Sequence, residues 1–278
     1  MKKTDEICQC GKLAAAAAVA AALPLYMIAP GKATRRQKAP FAGVNFAHRG
    51  LHTRDKKVPE NSLEAFRLAA EYGYGIELDV QLSKDGQVVV FHDDTLDRVC
   101  NEHAAVCERT YEELKQLRLC GSEYTVPLFT EVLETVNGRS PLIVELKTGK
   151  RNRELCEKTY EILESYRGDV CIESFDPRIV FWFRRNAPDL VRGQLAMPAR
   201  YYANEQGKLM ALALSRGLFN LLTRPQFLAY RIGHEPLNVR LYQKMGGMWV
   251  GWTSHEPRNE TGRDAVIFEF YKPRLKYK

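Results

Sequence analysis

Four short stretches of this 278-residue chain place groups fit for proton transfer and cation binding close together. In GIELDVQL at 75–82, Glu77 and Asp79 sit two residues apart in an aliphatic run. Residues two apart in a strand face one side, so both carboxylates aim at one point while Ile76, Leu78 and Val80 face the other way. A second run, VVVF, ends in His92–Asp93. LIVELK at 142–147 puts Glu145 and Lys147 on one face, and the run VNFA ends in His48–Arg49–Gly50. Paired carboxylates bind hard divalent cations, and histidine exchanges protons near neutral pH. Taken singly, each feature has a bland reading: a structural histidine, a solvated acidic face, an ordinary ion pair. Jointly they interrupt apolar runs that read as buried, and a buried charge is costly without a partner. A shared cation and a shared anionic substrate would provide the partners.

The elements that must position these groups alternate along the chain. Strands are expected at Val44–Ala47, Ile76–Leu82, Val88–Phe91, Leu142–Leu146, Val170–Ser174, Val191–Ala196, within PQFLAYR, and at Met248–Thr253 and Ala265–Phe268. Helical patterns fall between them: NSLEAFRLAAEYG with Asn61 or Ser62 as cap, TYEELKQLRL with a Thr110–Glu113 capping box, LFTEVLETVNG, ELCEKTYEILESYRG, PRIVFWFRRNAP, LMALALSRG and LNVRLYQKMG. Such alternation means parallel strands joined by right-handed crossovers. Roughly eight units in about 235 residues predict a (β/α)8 TIM barrel. An open doubly wound sheet is the alternative, weakened because no Gly-rich dinucleotide fingerprint follows a strand. In a barrel the site lies at the C-terminal ends of the strands, where ESFD at 173–176 and Trp252–Thr253 also fall.

Composition narrows the class. The net charge is +7, but seven Lys/Arg lie in residues 1–40 and four in the closing KPRLKYK, leaving the body slightly acidic. A nucleic-acid partner is therefore not expected, whereas basic ends suit an anionic membrane surface. Seven irregularly spaced cysteines argue against a disulfide framework, and Cys8-Gln-Cys10 has no second pair for zinc. Residues 13–30, LAAAAAVAAALPLYMIAP, carry no charge. As a helix the uncharged stretch extends about 28 Å against a bilayer core of about 30 Å. A single membrane anchor is expected there, ahead of a signal peptide or an Ala-rich soluble helix. The chain thus divides into a basic-flanked hydrophobic segment, 1–40, and a barrel domain, 41–278. The slight basic excess after the segment and the unpaired cysteines place that domain on the cytoplasmic side, with an outward-facing or secreted domain as the alternative.

AHRG at 47–50, PENSLEAF at 59–66, GIELDVQLSKDGQVVVFHDDTLDR at 75–98 and VELK at 144–147 resemble the glycerophosphodiester phosphodiesterase family. ESFDP, RGQL, VGWTSHE and DAVIFE extend the resemblance to about residue 270, and a membrane-anchored bacterial branch looks nearest. The resemblance implies a (β/α)8 barrel with Glu77, Asp79 and Glu145 as ligands of one Ca²⁺ or Mg²⁺ ion. It implies His48 and His92 as the acid–base pair, Arg49 and Lys147 as phosphate-binding groups, and Glu60 and Asn61 as supports behind them. Phe175 and Trp252 match wall positions for the glycerol or head group. The implied reaction splits a glycerophosphodiester into an alcohol and glycerol 3-phosphate, with a glycerol hydroxyl as the nucleophile. Three departures touch the substrate side: the long loop LHTRDKKV, Ser254 and His255 in GWTSHE, and FEFYKP after the last strand. A phospholipase C- or D-like lipid phosphodiesterase and a non-catalytic membrane-associated binding module are the competing readings.

Overall fold

The computed structural model describes residues 22–233 and 235–277. Nine strands form: β1 (Asn45–Ala47), β2 (Gly75–Leu82), β3 (Val88–Val90), β4 (Leu142–Leu146), β5 (Val170–Ser174), β6 (Val191–Ala196), β7 (Phe227–Arg231), β8 (Met248–Ser254) and β9 (Ala265–Phe268). All but β3 run parallel, and β1 pairs with both β2 and β9, closing an eight-stranded barrel. This is the expected (β/α)8 fold, not the open sheet. β3 is an antiparallel hairpin partner of β2 outside the ring.

The helices used below are α1 (Leu63–Glu71), α2 (Phe129–Val136), α3 (Asn152–Ser165), α4 (Pro177–Asn186), α5 (Ala199–Gln206), α6 (Lys208–Ser215), α7 (Asn220–Thr223) and α8 (Leu237–Lys244). Ser62, not Asn61, caps α1, its hydroxyl accepting from the Ala65 amide. The TYEELKQLRL pattern is helical only at Tyr111–Leu114, although its Thr110–Glu113 capping box forms. Helix α5 was not expected, because RYYANEQ has no apolar stripe to announce it.

Strand alternation sorts two layers of apolar side chains. Ile76, Leu78 and Val80 of β2 join Val144 of β4, Phe66 of α1 and Phe129 of α2 between barrel and helices. The opposite parity, Ile143, Cys171, Phe227 and Ile267, fills the barrel interior. Gly193 of β6 leaves room there, since a Cβ would stand 2.1 Å from the Phe227 ring. Leu78 is fully buried, so Leu78→Ala would cost about 2–5 kcal/mol through the cavity it leaves.

The end of the apolar N-terminal segment rests on the barrel. Residues 22–28 are helical, Ile28 is buried, and the Gly31 amide donates to Pro225 O at 2.7 Å. An anchor over 13–30 therefore falls partly outside the described residues, and its last residues lie against protein. Among the described residues no helix is long and apolar enough to cross a membrane.

Candidate active site

Above the apolar interior layer, the barrel strands carry acids in register. Asp79 of β2 pairs with Glu145 of β4, and Glu145 pairs with Glu173 of β5. Glu77 sits two residues before Asp79 on the same face, and one oxygen from each of Glu77, Asp79 and Glu145 lies within 4.8 Å of the others. All four acids are buried. Burial pushes the Glu77 carboxyl well up, and repulsion from Asp79 and Glu145 adds to it. Glu145 rises for the same first reason, although Lys147 opposes it. Asp79 is held low: burial would raise it, but the charges of Lys147, His92 and Arg49 outweigh that. Glu173 is pushed well above the carboxylate range by burial and by the neighbouring Glu145 charge.

Cations and an amide brace the acids. Lys147 Nζ lies 2.9 Å from Glu145 Oε1 and 3.5 Å from Asp79 Oδ1. The Arg49 amide donates to Glu77 Oε2 at 2.9 Å, its Nε stands 3.5 Å from Asp79 Oδ2, and its Nη1 donates to Glu60 Oε1 at 2.6 Å. Arg49 takes a left-handed backbone (φ 54°), which turns that amide inward after β1. Asn61 also has positive φ and donates to Asp79 Oδ2 at 2.8 Å. Glu60 thus braces Arg49 and Arg98, and Asn61 braces Asp79.

Two histidines reach the same space, each bound to a carboxylate. His48, just past β1, has Nδ1 at 2.8 Å from Glu269 Oε1, with Nε2 at 4.0 Å from Glu77 Oε2. Burial lowers its pKa, opposed in part by the Glu269 bond. Glu269 also receives His52 Nε2 at 3.2 Å. Burial would raise the Glu269 carboxyl, but the two histidine bonds hold it far below the usual range. His92 has Nδ1 at 2.6 Å from Asp93 Oδ1, while Arg98 Nε donates to Asp93 Oδ2 at 2.6 Å. Gln81 of β2 donates to both Phe91 O and Asp93 O at 2.9 Å and so fixes the turn that presents His92. A carboxylate on Nδ1–H leaves Nε2 as the exchanging atom of each ring.

A cavity of about 440 Å³ joins these groups; His48, Arg49, Glu77, His92, Glu145 and Glu173 line it. Phe175 and Trp252 form one wall, their rings edge-on with centroids 5.6 Å apart. Trp252 Nε1 donates to Ala229 O at 3.1 Å, which sets the ring angle. Of the residues named from the sequence, His48, Arg49, Glu77, His92, Glu145, Phe175 and Trp252 line this cavity, while Asp79, Lys147, Glu60 and Asn61 stand behind them, bonded to Glu145, Arg49 or one another. The sequence reading gave no role to Glu269, His52, Gln81 or the cavity position Arg231, whereas His255, named as a substrate-side departure, does line the cavity. FEFYKP was read as a substrate-side departure, yet its Glu269 orients His48. Ser254 is buried and bonds the Tyr271 hydroxyl at 3.0 Å, so it supports the wall and does not face the cavity.

The donor set suits a divalent cation. Three buried carboxylates crowd within reach of one point, and Glu77 has no Lys or Arg within ion-pair distance among the described residues. Oxygen-only ligands favour a hard ion over zinc.

Fold and site together define a (β/α)8-barrel protein with a carboxylate triad, two carboxylate-bound histidines, and Arg49 and Lys147 paired to the acids. The sequence model described as "Glycerophosphoryl diester phosphodiesterase family" matches residues 48–271, and the chain belongs to that family. It is similar to a glycerophosphodiester phosphodiesterase of Bacillus altitudinis, 38% identical over 55% of this chain and 66% of the relative. A second, from Caldanaerobacter subterraneus, is 38% identical over 54% of this chain and 65% of its own. The match therefore spans slightly less than two thirds of these relatives. Among solved structures, an Oleispira antarctica phosphodiesterase in complex with sn-glycerol 3-phosphate superposes with TM-score 0.66 at 24% identity, over 82% of this chain and 93% of the other, a likeness of fold.

Proposed function

We propose that this protein hydrolyses glycerophosphodiesters to an alcohol and glycerol 3-phosphate, with one divalent ion, Ca²⁺ or Mg²⁺, held by Glu77, Asp79 and Glu145. The observation that carries this is two histidines, each with a carboxylate on Nδ1, facing one cavity beside the triad. Family membership and the glycerol 3-phosphate bound to the Oleispira antarctica protein support the substrate class.

Arg49 and Lys147 bind and orient the phosphodiester through their charges, and both are kept cationic by neighbouring acids. A bound ion would add Lewis-acid stabilisation of charge on the phosphoryl oxygens. One histidine takes the proton of a glycerol hydroxyl through Nε2 as that oxygen bonds to phosphorus. The other gives a proton to the alcohol oxygen as its P–O bond breaks. A cyclic glycerol phosphate results, and water opens it with the two histidines exchanging roles. Phe175 and Trp252 pack the organic part of the diester. A purified-protein screen of glycerophosphocholine, glycerophosphoethanolamine, glycerophosphoglycerol and lysolipids, with Ca²⁺, Mg²⁺ or chelator, tests this. Turnover of at least one diester that stops with chelator is expected. No turnover with any ion would favour the binding-module reading.

We also propose that the apolar stretch between Lys12 and Lys32 tethers the protein to a membrane, with the barrel on the cytoplasmic side. Recovery of the full chain in the soluble fraction of lysed cells, without detergent, would oppose the tether.

A further inference from the structure

Helix α6 differs from the other long helices of the barrel. α1, α2 and α4 bury large side chains such as Phe66, Phe129 and Phe183, whereas α6 buries only Ala211 and Ser215. Leu209 is 86% exposed, and Met210 and Leu212 are also exposed. Leu218 on the following turn and Leu222 on α7 continue the exposed series. Backbone bonds join the turn to both helices: Leu218 N donates to Ala213 O and Asn220 N to Gly217 O, both at 3.0 Å. The surface extends onto helical residues 22–28. Asn220 Nδ2 donates to Ile28 O at 3.2 Å, and the Arg224 guanidinium lies 4.3 Å over the Tyr26 ring. Leu25 and Tyr26 are exposed beside it. A soluble monomer rarely leaves such an apolar patch uncovered.

The charge on this stretch has one sign. Residues 206–234 contain Lys208, Arg216, Arg224 and Arg231 and no Asp or Glu, although the body of the chain is slightly acidic. A second copy docked isologously on this face would set those cations against their own equivalents. Exposed leucines with Lys208, Arg216 and Arg224 as their nearest charged neighbours along the chain match an anionic bilayer: the leucines enter the boundary between head groups and acyl chains, and the cations meet lipid phosphates. Helix α5, just before α6, reaches the cavity wall. Tyr202 of α5 packs edge-on to Phe175 at 6.3 Å, and the Arg231 guanidinium lies 4.2 Å over Tyr201.

We propose that α6, the turn after it and α7 form a docking surface for an anionic lipid bilayer, seating one side of the barrel on the membrane. This contact belongs to the folded domain, goes beyond the N-terminal tether, and does not depend on the diester chemistry. The test uses the full chain with vesicles of phosphatidylcholine alone or mixed with phosphatidylglycerol, read by hydrogen exchange and by flotation. Amides across 208–224 exchange more slowly with the anionic vesicles, and the protection fades as salt rises. The Leu209→Ser/Leu212→Ser/Leu222→Ser variant loses that protection and partitions about tenfold or more weakly, while its activity on a water-soluble diester is unchanged. Protection confined to residues before 32 would overturn the proposal, leaving the tether alone. Protection that appears without lipid and grows with protein concentration would overturn it in favour of a second copy.

Discussion

His48 and His92 line one cavity and each gives Nδ1 to a carboxylate, yet their surroundings are built differently. His48 is held across the closure of the barrel: its Glu269 comes from the chain after β9, 221 residues away, and is shared with His52. His92 is held locally, by the adjacent Asp93, with Arg98 bridging Asp93 to Glu60 and Gln81 fixing the turn. The first arrangement is set by folding of the whole ring and is the less exposed of the two. The second is a chain of ion pairs, more exposed on Arg98, and so more open to screening by salt. One reaction is thus served by one proton carrier fixed by topology and one fixed by a loop.

The largest expected effect falls on what both sides share. Glu77→Gln keeps the shape but removes one carboxylate of the triad, so diesterase kcat falls about 10³-fold or more and divalent-ion affinity drops in calorimetry. Because Glu77 is a buried acid repelled by Asp79 and Glu145, the same variant in chelator should melt about 3 °C higher than the parent. A lower melting temperature would mean that the triad is not strained without an ion. Next, Glu269→Gln should lower kcat about 100-fold, since it disturbs the tautomer and position of the more deeply held histidine. Asp93→Asn should cost about tenfold, with a stronger dependence on salt in the parent than in the variant. Equal losses in the two variants would erase the contrast between the sides.

The last effect falls on stability against acid and leaves the chemistry aside. Glu60, between Arg49 and Arg98, is partly buried, which alone would raise its pKa, but the two guanidinium groups bring it down to about 2. A carboxyl depressed in the folded state contributes stability that is present above its unfolded value, near 4.5, and is lost as pH falls toward 2. Glu60→Gln should therefore flatten the loss of stability across that window by at most about 3 kcal/mol, measured by urea unfolding at stepped pH. An unchanged pH profile would show that this network does not stabilise the fold.

Much of this was legible in the sequence because strands have a period of two. IELDV and LIVEL declare their inward acids by parity alone, and the barrel follows from their alternation with helical patterns. Asn61 was weighed as a cap for α1; Ser62 takes that place and Asn61 turns to Asp79 instead. Glu269 was illegible for a physical reason: its partner is remote in sequence, and parity along β9 does not extend to a residue beyond the strand's end. Gln81 was in plain view on the same face of β2 as Glu77 and Asp79, but its partners, the Phe91 and Asp93 carbonyls, come to it only through the β3 hairpin. The exposed leucines of α6 fell inside LMALALSRG, read only as a helical pattern, because sequence shows apolar residues but not which of them find a partner.

The central claim is that His48 and His92 act as one proton-transfer pair. The direct measurement is steady-state turnover of a glycerophosphodiester, with the activating ion saturating, by His48→Ala, His92→Ala and the double variant, each shown folded by circular dichroism. Each single variant should lose about 10³-fold or more in kcat, and the double variant little beyond that, because groups acting as a unit are not additive. Either single variant retaining full ion-dependent activity, or losses that multiply in the double variant, would contradict the account.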